Sequence, residues 1–304
     1  MPQPAPNVFQ ALDHALASAV AAAAPAVIHV SRGPRHVSGG TGIAYSDDLV
    51  ITSSFHAPDQ TKIGIPLPDG SLDQRDADVI GRDAGTDLAV LRVAGGGLTP
   101  ATLRDLDGLA VGNLALAVGR PGRSARASLR AIGVLGPEVR TPWGGRLEHY
   151  IESDRQIPRG FAGGPLIDSE GSVIGMNTRT LIKGSDLAIP TVTIRRVITE
   201  LIKHGAIRRG YLGVGAFPAQ LSPTLAQLAG RDAGALVASL DDGGPAATAG
   251  IMVGDILTEV AGEPVIDPET LRLALGDVPG QPVTIVLLRG GTKLELQVTL
   301  GSRP

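Results

Sequence analysis

The sequence predicts a mainly β protein organised as two domains, and three observations carry this. The chain has 304 residues, 43% hydrophobic and 19% charged, enough for a folded protein of about two domains at roughly 150 residues each. Its 41 glycines and 23 prolines suit short strands and many turns. From residue 26 to about residue 190, short β-type runs recur between turn residues: AVIHVS (26–31), GTGIAYS (40–46), LVITSS (49–54), LAVLRV (88–93), LALAVG (114–119), LRAIGVLG (129–136) and SVIGMNT (172–178). Runs of this length, punctuated by Gly, Pro and Asp, predict a sandwich or barrel. Long helix-period segments between them are lacking, which argues against a parallel α/β sheet.

The Ala-rich stretch 15–30 is interrupted by Pro25 and flows into AVIHVS. The first Lys or Arg is Arg32, so no basic stretch precedes the apolar one as in an export signal. An amphipathic helix docked on the core is the expectation. Location stays open: cytoplasmic as the sequence stands, or periplasmic (extracytoplasmic) if a signal has been removed. No stretch reads as a membrane span.

Residues 192–204, VTIRRVITELIKH, change the rhythm. Val197, Ile198, Leu201 and Ile202 fall at helical spacing. Lys203 and His204 sit where the helix dipole favours positive charge, and Gly205 is a natural stop. Arg195, Arg196, Arg208 and Arg209 read as a solvated face and linker. The domain boundary is placed here, giving 1–205 and 206–304. The second unit has strand-like YLGVGAF, ALVASL, ILTEVAG and VTIVLLRGG…LELQVTL, with a short helix over 268–276.

A net charge of −3 calls for no nucleic-acid or anionic-membrane partner. The absence of cysteine excludes disulfides, thiolate catalysis and cysteine-ligated zinc. No HExxH motif occurs among the six histidines, so no metal is expected.

Three weak signals gain force from their order. His56 follows the run LVITSS, Asp87 stands at the mouth of LAVLRV, and residues 160–165 read GFAGGP. A hydrolase of the serine type needs a nucleophile, a His base and a carboxylate that orients it. It also needs backbone N–H donors at a tight turn. Singly, each residue is more simply a surface histidine, a turn aspartate or a glycine turn.

The text around these residues resembles the HtrA/DegP family of trypsin-like serine proteases. VITSSFHA, TDLAVLRV, VGNLALAVGRP (111–121) and Asp154 followed by RQIPRGFAGGPL carry the resemblance. It implies a chymotrypsin-like double β-barrel over about 26–203, with His56 as general base and Asp87 as orienting carboxylate. The nucleophile would stand at Ala162, where alanine has no oxygen to attack with. Either a Ser→Ala change has been engineered, or this is a natural pseudoprotease. Retention of His56, Asp87 and the glycines of the turn favours the first. The oxyanion hole would use the N–H groups of Gly160 and Ala162. Phe161 and the pair Pro158–Arg159 depart from the family text, as does the segment before His56. The pocket for the residue before the cut is placed at Gln156 and the strand Met176, Asn177, Thr178. With no acid at 156, a small or medium apolar residue is expected there.

Residues 206–304 resemble the PDZ domain that follows the protease in this family, through RRGYLGV (208–214) and GGPAATAGIMVGDILTEVAGEPV (243–265). The resemblance implies that Tyr211, Leu212, Gly213 and Val214 capture a peptide C-terminus, with the helix bearing Leu271 and Leu275 as the other wall. Core packing explains those leucines equally well. The implied activity is endopeptidase cleavage of unfolded or damaged proteins in protein quality control. It needs no cofactor, and a homotrimer through Phe9 and the apolar 8–20 helix is expected.

Two rival readings fit parts of the sequence. GFAGG with serine restored also fits the nucleophile elbow of α/β-hydrolases, but GPLIDSEGSVIGMNT after it reads as a hairpin, not a helix. A non-enzymatic scaffold or chaperone would use the PDZ groove and an inert cleft. Ala162 favours it; His56 and Asp87 speak against it.

Overall fold

The computed structural model describes residues 7–31, 39–58, 60–182, 185–276 and 279–303. The chain divides into two compact units, Met1–Ala206 and Ile207–Pro304.

The first unit opens with α1 (Val8–Ala23), started by a reciprocal cap between Asn7 and Gln10. Ala19 and Ala23 are its buried side chains, while Val8 and Phe9 are more than four-fifths exposed. Six strands follow: β1 (Val27–Ser31), β2 (Gly40–Ala44), β3 (Leu49–Ser53), β4 (Gln60–Pro66), β5 (Leu72–Asp83) and β6 (Leu88–Val93). They close into an antiparallel barrel in the order β1-β2-β3-β6-β5-β4. Closure leaves no open edge, and the interior fills with Ile28, Val30, Val50, Ile63, Ala89 and Leu91.

The second half repeats the plan. Its strands are β7 (Leu114–Gly119), β8 (Arg126–Gly136), the small ladder β9 (Val139–Arg140) with β10 (Arg146–Leu147), then β11 (Tyr150–Ser153), β12 (Pro165–Ile167), β13 (Val173–Ile182) and β14 (Ser185–Pro190). Leaving aside that ladder, they close in the order β7-β8-β11-β14-β13-β12. Counted along the chain, this is the first barrel's order again. β12 and β13 form the hairpin expected after the glycine turn.

α2 (Thr191–His204) ends at Gly205, whose φ of 73° is the left-handed cap, and it buries Ile194, Val197, Ile198 and Leu201. Ile202 is 41% exposed. Arg196 is not solvated as expected: its Nε donates to Glu148 Oε1 at 2.5 Å and its Nη2 to Arg146 O at 2.6 Å, tying the helix to β10.

The second unit holds β15 (Arg209–Tyr211), β16 (Val214–Gln220), α3 (Pro223–Ala229), β17 (Ala233–Leu240), α4 (Pro245–Thr248), β18 (Ile256–Val260), β19 (Glu263–Pro264), α5 (Pro268–Leu275), β20 (Pro282–Arg289), β21 (Thr292–Thr299) and β22 (Gly301–Arg303). Its main sheet runs β16-β17-β18-β20-β21, so β16 is an edge strand. β15 pairs with β22. Its core includes Leu212, Val237, Leu257, Leu271, Leu275 and Ile285. No helix among the described residues is long and apolar enough to cross a membrane.

Candidate active site and peptide groove

The candidate site is built from turns that both barrels supply. β3 ends in a 3₁₀ turn, Ser54–His56, and β6 begins one residue after Asp87. The two are tied through Ser54 N–H to Asp87 O at 3.1 Å. This places the His56 backbone beside Asp87; the His56 side chain lies outside the described residues.

Asp87 sits at φ 53°, a conformation costly for a non-glycine residue. The turn before it is held by Asp83, whose carboxylate accepts Gly85 N–H, Thr86 N–H and the Thr86 hydroxyl. The Asp87 carboxylate is itself 2% exposed and surrounded by donors. Ser53 Oγ donates to both its oxygens at 2.8 and 2.9 Å, Ser54 Oγ to Oδ1 at 2.9 Å and Thr178 Oγ1 to Oδ2 at 2.6 Å. Thr178 comes from β13 in the second barrel, so this bond ties the two barrels at the carboxylate.

The glycine turn is packed backbone against backbone. Gly163 has φ 84°, and a Cβ there would lie 2.2 Å from Thr41 O and 2.8 Å from Ser53 N. Gly160 has φ 83°, and its Cβ would meet Pro121 Cβ at 2.5 Å. Only glycine lets the turn approach β2 and β3 so closely. Three successive carbonyls of the turn are directed by partners. Gly160 O accepts from Thr41 Oγ1 at 2.5 Å, Phe161 O from Gly164 N–H and Ala162 O from Thr41 N–H. The N–H groups of Gly160 and Ala162, by contrast, take no partner among the described residues. The Phe161 ring covers Gly119, where a Cβ would fall 2.7 Å from the ring, and it joins the second barrel's core.

Three side chains clamp the segment leading into this turn. Arg130 Nη1 donates to Arg155 O at 2.6 Å, Asp186 Oδ2 accepts Ile157 N–H at 2.6 Å and Asp154 Oδ1 accepts Ala131 N–H at 3.1 Å. That last bond is the main reason the Asp154 carboxyl titrates below its ordinary value.

In the second unit, Leu212 O accepts Ala246 N–H and Gly213 O accepts Asp241 N–H. Gly213 has φ 78°, and the Tyr211 hydroxyl bonds Asp241. With these carbonyls turned away, the N–H groups of Leu212, Gly213 and Val214 stand without partners among the described residues. Three successive open N–H groups form a concavity suited to an anion. α5 lies alongside β16 just beyond.

A trypsin-like peptidase domain model matches residues 40–176, and a PDZ domain model matches 210–300. The periplasmic pH-dependent serine endoprotease DegQ of Escherichia coli is 35% identical over 274 residues, covering 87% of this chain and 59% of that protein. A probable periplasmic serine endoprotease, DegP-like, of Brucella suis is 33% identical over 279 residues, covering 89% and 54%. The chain thus spans a little over half the length of these relatives. Among solved structures, the HtrA-type protease AlgW with a tripeptide superposes with TM-score 0.66 at 31% identity, covering 95% of this chain and 97% of that one. A serine endoprotease from Yersinia pestis gives TM-score 0.69 at 27% identity, covering 95% and 98%.

The chain belongs to the HtrA/DegP type of serine protease. The residues singled out from sequence fall in four settings. Asp87, Gly160, Ala162 and the backbone of His56 are held in or beside the turns of the cleft. Gln156 is exposed, next to the clamped Ile157. Met176, Asn177 and Thr178 are buried and otherwise engaged: Met176 is fully buried, Asn177 Nδ2 donates to Gly164 O and Pro165 O, and Thr178 serves Asp87. In the PDZ unit, Leu271 and Leu275 lie in the core beside Leu212. Sequence reasoning missed Ser53, Ser54, Thr41, Arg130 and Asp186. VITSS carried a trace of the first two, as hydroxyls three and two residues before His56. The others have no local signal, because their partners lie 25 to 119 positions away. Arg120 of the GRPGR loop is structural: its guanidinium donates to Val27 O, Ala24 O and Arg123 O.

Proposed function

We propose that this HtrA-type chain is an endopeptidase scaffold for unfolded or damaged proteins, competent when position 162 is serine and inert with Ala162. The observation that carries the reading is the pairing of a buried, hydroxyl-held Asp87 with a turn whose Gly160 and Ala162 N–H groups are free. A serine oxygen at position 162 would attack the scissile carbonyl and pass its proton to His56, which later gives it to the leaving amine. Asp87 would hold the imidazole, and the two N–H groups would receive the oxyanion. The PDZ unit takes peptide C-termini through the open N–H groups at 212–214. Exposed Val8 and Phe9 on α1 supply apolar surface for a homotrimer. The names of the relatives support a periplasmic setting.

The test is to make Ala162→Ser and assay both forms on unfolded casein with a serine-reactive phosphonate. Cleavage and labelling at residue 162 in the variant alone support the reading. An inert variant, even with C-terminal peptides added, favours the second reading, a peptide-binding pseudoprotease, for which the Ala162 methyl in an otherwise intact turn is the motivating observation.

A further inference from the structure

The glycine turn is rimmed by arginines that no carboxylate balances. Pro121 packs on Gly160, and the loop after it is fixed by the buried Arg120, whose Nη1 donates to Arg123 O at 2.6 Å. Arg123 is thereby held beside the turn. Arg126, the first residue of β8, stands directly opposite Gly119 on β7. Directly opposite residues share a face of the sheet, and a Cβ on Gly119 would point into the Phe161 ring. Arg126 therefore leaves β8 on the side of Phe161, the neighbour of Ala162. Arg159 precedes Gly160 itself. These three arginines are exposed, and their guanidinium groups have no hydrogen bond or ion pair among the described residues. Nearby charge does not cancel them. Asp154 and Asp186 are already paired, with Arg155 at 3.4 Å and with Arg179 at 3.6 Å. Arg130 adds to the surplus. It lies four residues along β8, on the same face as Arg126, and is 1% exposed. Only its Nη1 is engaged, by Arg155 O; its Nε and Nη2 are buried without a partner. A cation held out of water is weakly screened, so its field adds to that of the exposed three.

We propose that Arg123, Arg126 and Arg159 form an electropositive rim that takes acidic side chains of an unfolded polypeptide lying across the turn at 160–162. The inference rests on the reading of this turn as the place where a substrate chain is held, and it names the class of chain: one with Asp or Glu within a few residues of the bond presented to position 162. The occupant follows from charge complementarity. A guanidinium offers a planar fork of donors that matches a carboxylate, and these three have no carboxylate of their own. The contribution is to selection more than to raw affinity, because exposed ion pairs are individually weak while like charges on a competing chain are repelled. Chains rich in Lys or Arg around the same bond are disfavoured accordingly.

The test uses the full chain, which with Ala162 binds without cutting. Displayed decapeptides, randomised throughout and tethered by their C-termini so that no free carboxylate engages the PDZ unit, are selected on the parent and on an Arg123→Gln/Arg126→Gln double variant. Asp and Glu should be enriched on the parent and not on the variant. One selected peptide is then made with a C-terminal amide and with each acid changed to Gln, and its Kd is measured by fluorescence anisotropy. Each Glu→Gln change should weaken binding to the parent about 1.5- to fivefold, and the effect should shrink in high salt and in the double variant. Arg126→Glu should reverse the order and favour the peptide with Lys in place of Glu. Melting temperatures equal to the parent's show that these exposed changes leave the fold intact. The same peptides are offered to Ala162→Ser, where the ratio of kcat/KM for the Glu over the Gln peptide should fall when the two arginines are replaced. Selection without acid enrichment, failure to select any peptide, or a Glu→Gln effect equal in parent and double variant overturns the proposal. Cleavage by Ala162→Ser that is indifferent to acids also overturns it and leaves the endopeptidase reading standing. An Ala162→Ser chain that cuts nothing overturns the endopeptidase reading, while arginine-dependent binding of acidic peptides by the Ala162 chain still supports the rim.

Discussion

The tie between Asp87 and Thr178 gives the sharpest test of how the cleft is assembled. Thr178→Val keeps the β-branched shape and the strand but removes a 2.6 Å donor to a carboxylate that is 2% exposed. A hydrogen bond to a charged group contributes about 1.5–3 kcal/mol. Ser53 still donates to the same oxygen at 2.9 Å, so a loss of about 2 kcal/mol is expected. For a unit of this size that lowers Tm by about 4–8 °C. Trp143, the chain's one tryptophan, is the reporter. It sits in the turn that Thr141 Oγ1 fastens to Gly85 O at 2.7 Å, next to the Asp87 turn. Combining Thr178→Val with Ser53→Ala should cost more than the two singles added, because both donors serve Oδ2. In the Ala162→Ser background the same change should lower kcat more than it raises KM, since the carboxylate loses direction while the substrate walls stay. A melting temperature within about 1 °C of the parent, with additive double-mutant behaviour, would refute the claim that Thr178 holds this carboxylate.

Other consequences follow from the same geometry. Gly163→Ala combines a positive φ with a Cβ 2.2 Å from Thr41 O; it should cost about 2–5 kcal/mol from strain and overpacking together, read as a lower denaturant midpoint. Arg120→Met removes three donors from the carbonyls of Ala24, Val27 and Arg123, so α1 should become sensitive to limited proteolysis while the PDZ unit melts as before. In the PDZ unit, Asp255 is buried and paired with Arg289 at 2.6 Å. Burial pushes its carboxyl up, but the Arg289 hydrogen bond, Met252 N–H and the Arg289 charge outweigh this and hold it below 3.8. Its stabilisation is therefore present above that value and lost as pH falls through the lowered pKa. Asp255→Asn should destabilise the unit at neutral pH by about 1–3 kcal/mol, the loss of charged hydrogen bonds to a partly exposed partner, and flatten the acid limb of its stability curve; an unchanged acid limb would count against the pair.

Much of this molecule is legible along the chain because the signals are local. Short, nearly continuous apolar runs end where Gly, Pro or Asp turns begin, so strands such as β3, β6 and β7 read directly. α2 reads from its apolar spacing and from Gly205. β5 was not readable in this way. LDQRDADVIGRD is charged and uneven, and it becomes a twelve-residue strand because β4 and β6 on either side satisfy its backbone. The identical strand order of the two barrels is equally silent in the sequence, where no repeat is visible: closure needs apolar interiors and register, which many sequences supply. The order His56, Asp87, Gly-rich turn points to a hydrolase cleft by type and sequence order alone. The contacts that hold it do not show, since Thr41, Ser53, Arg130, Thr178 and Asp186 are common polar residues with no motif of their own. Which of them meets Asp87 or the glycine turn is decided when two barrels close and bring distant backbone together.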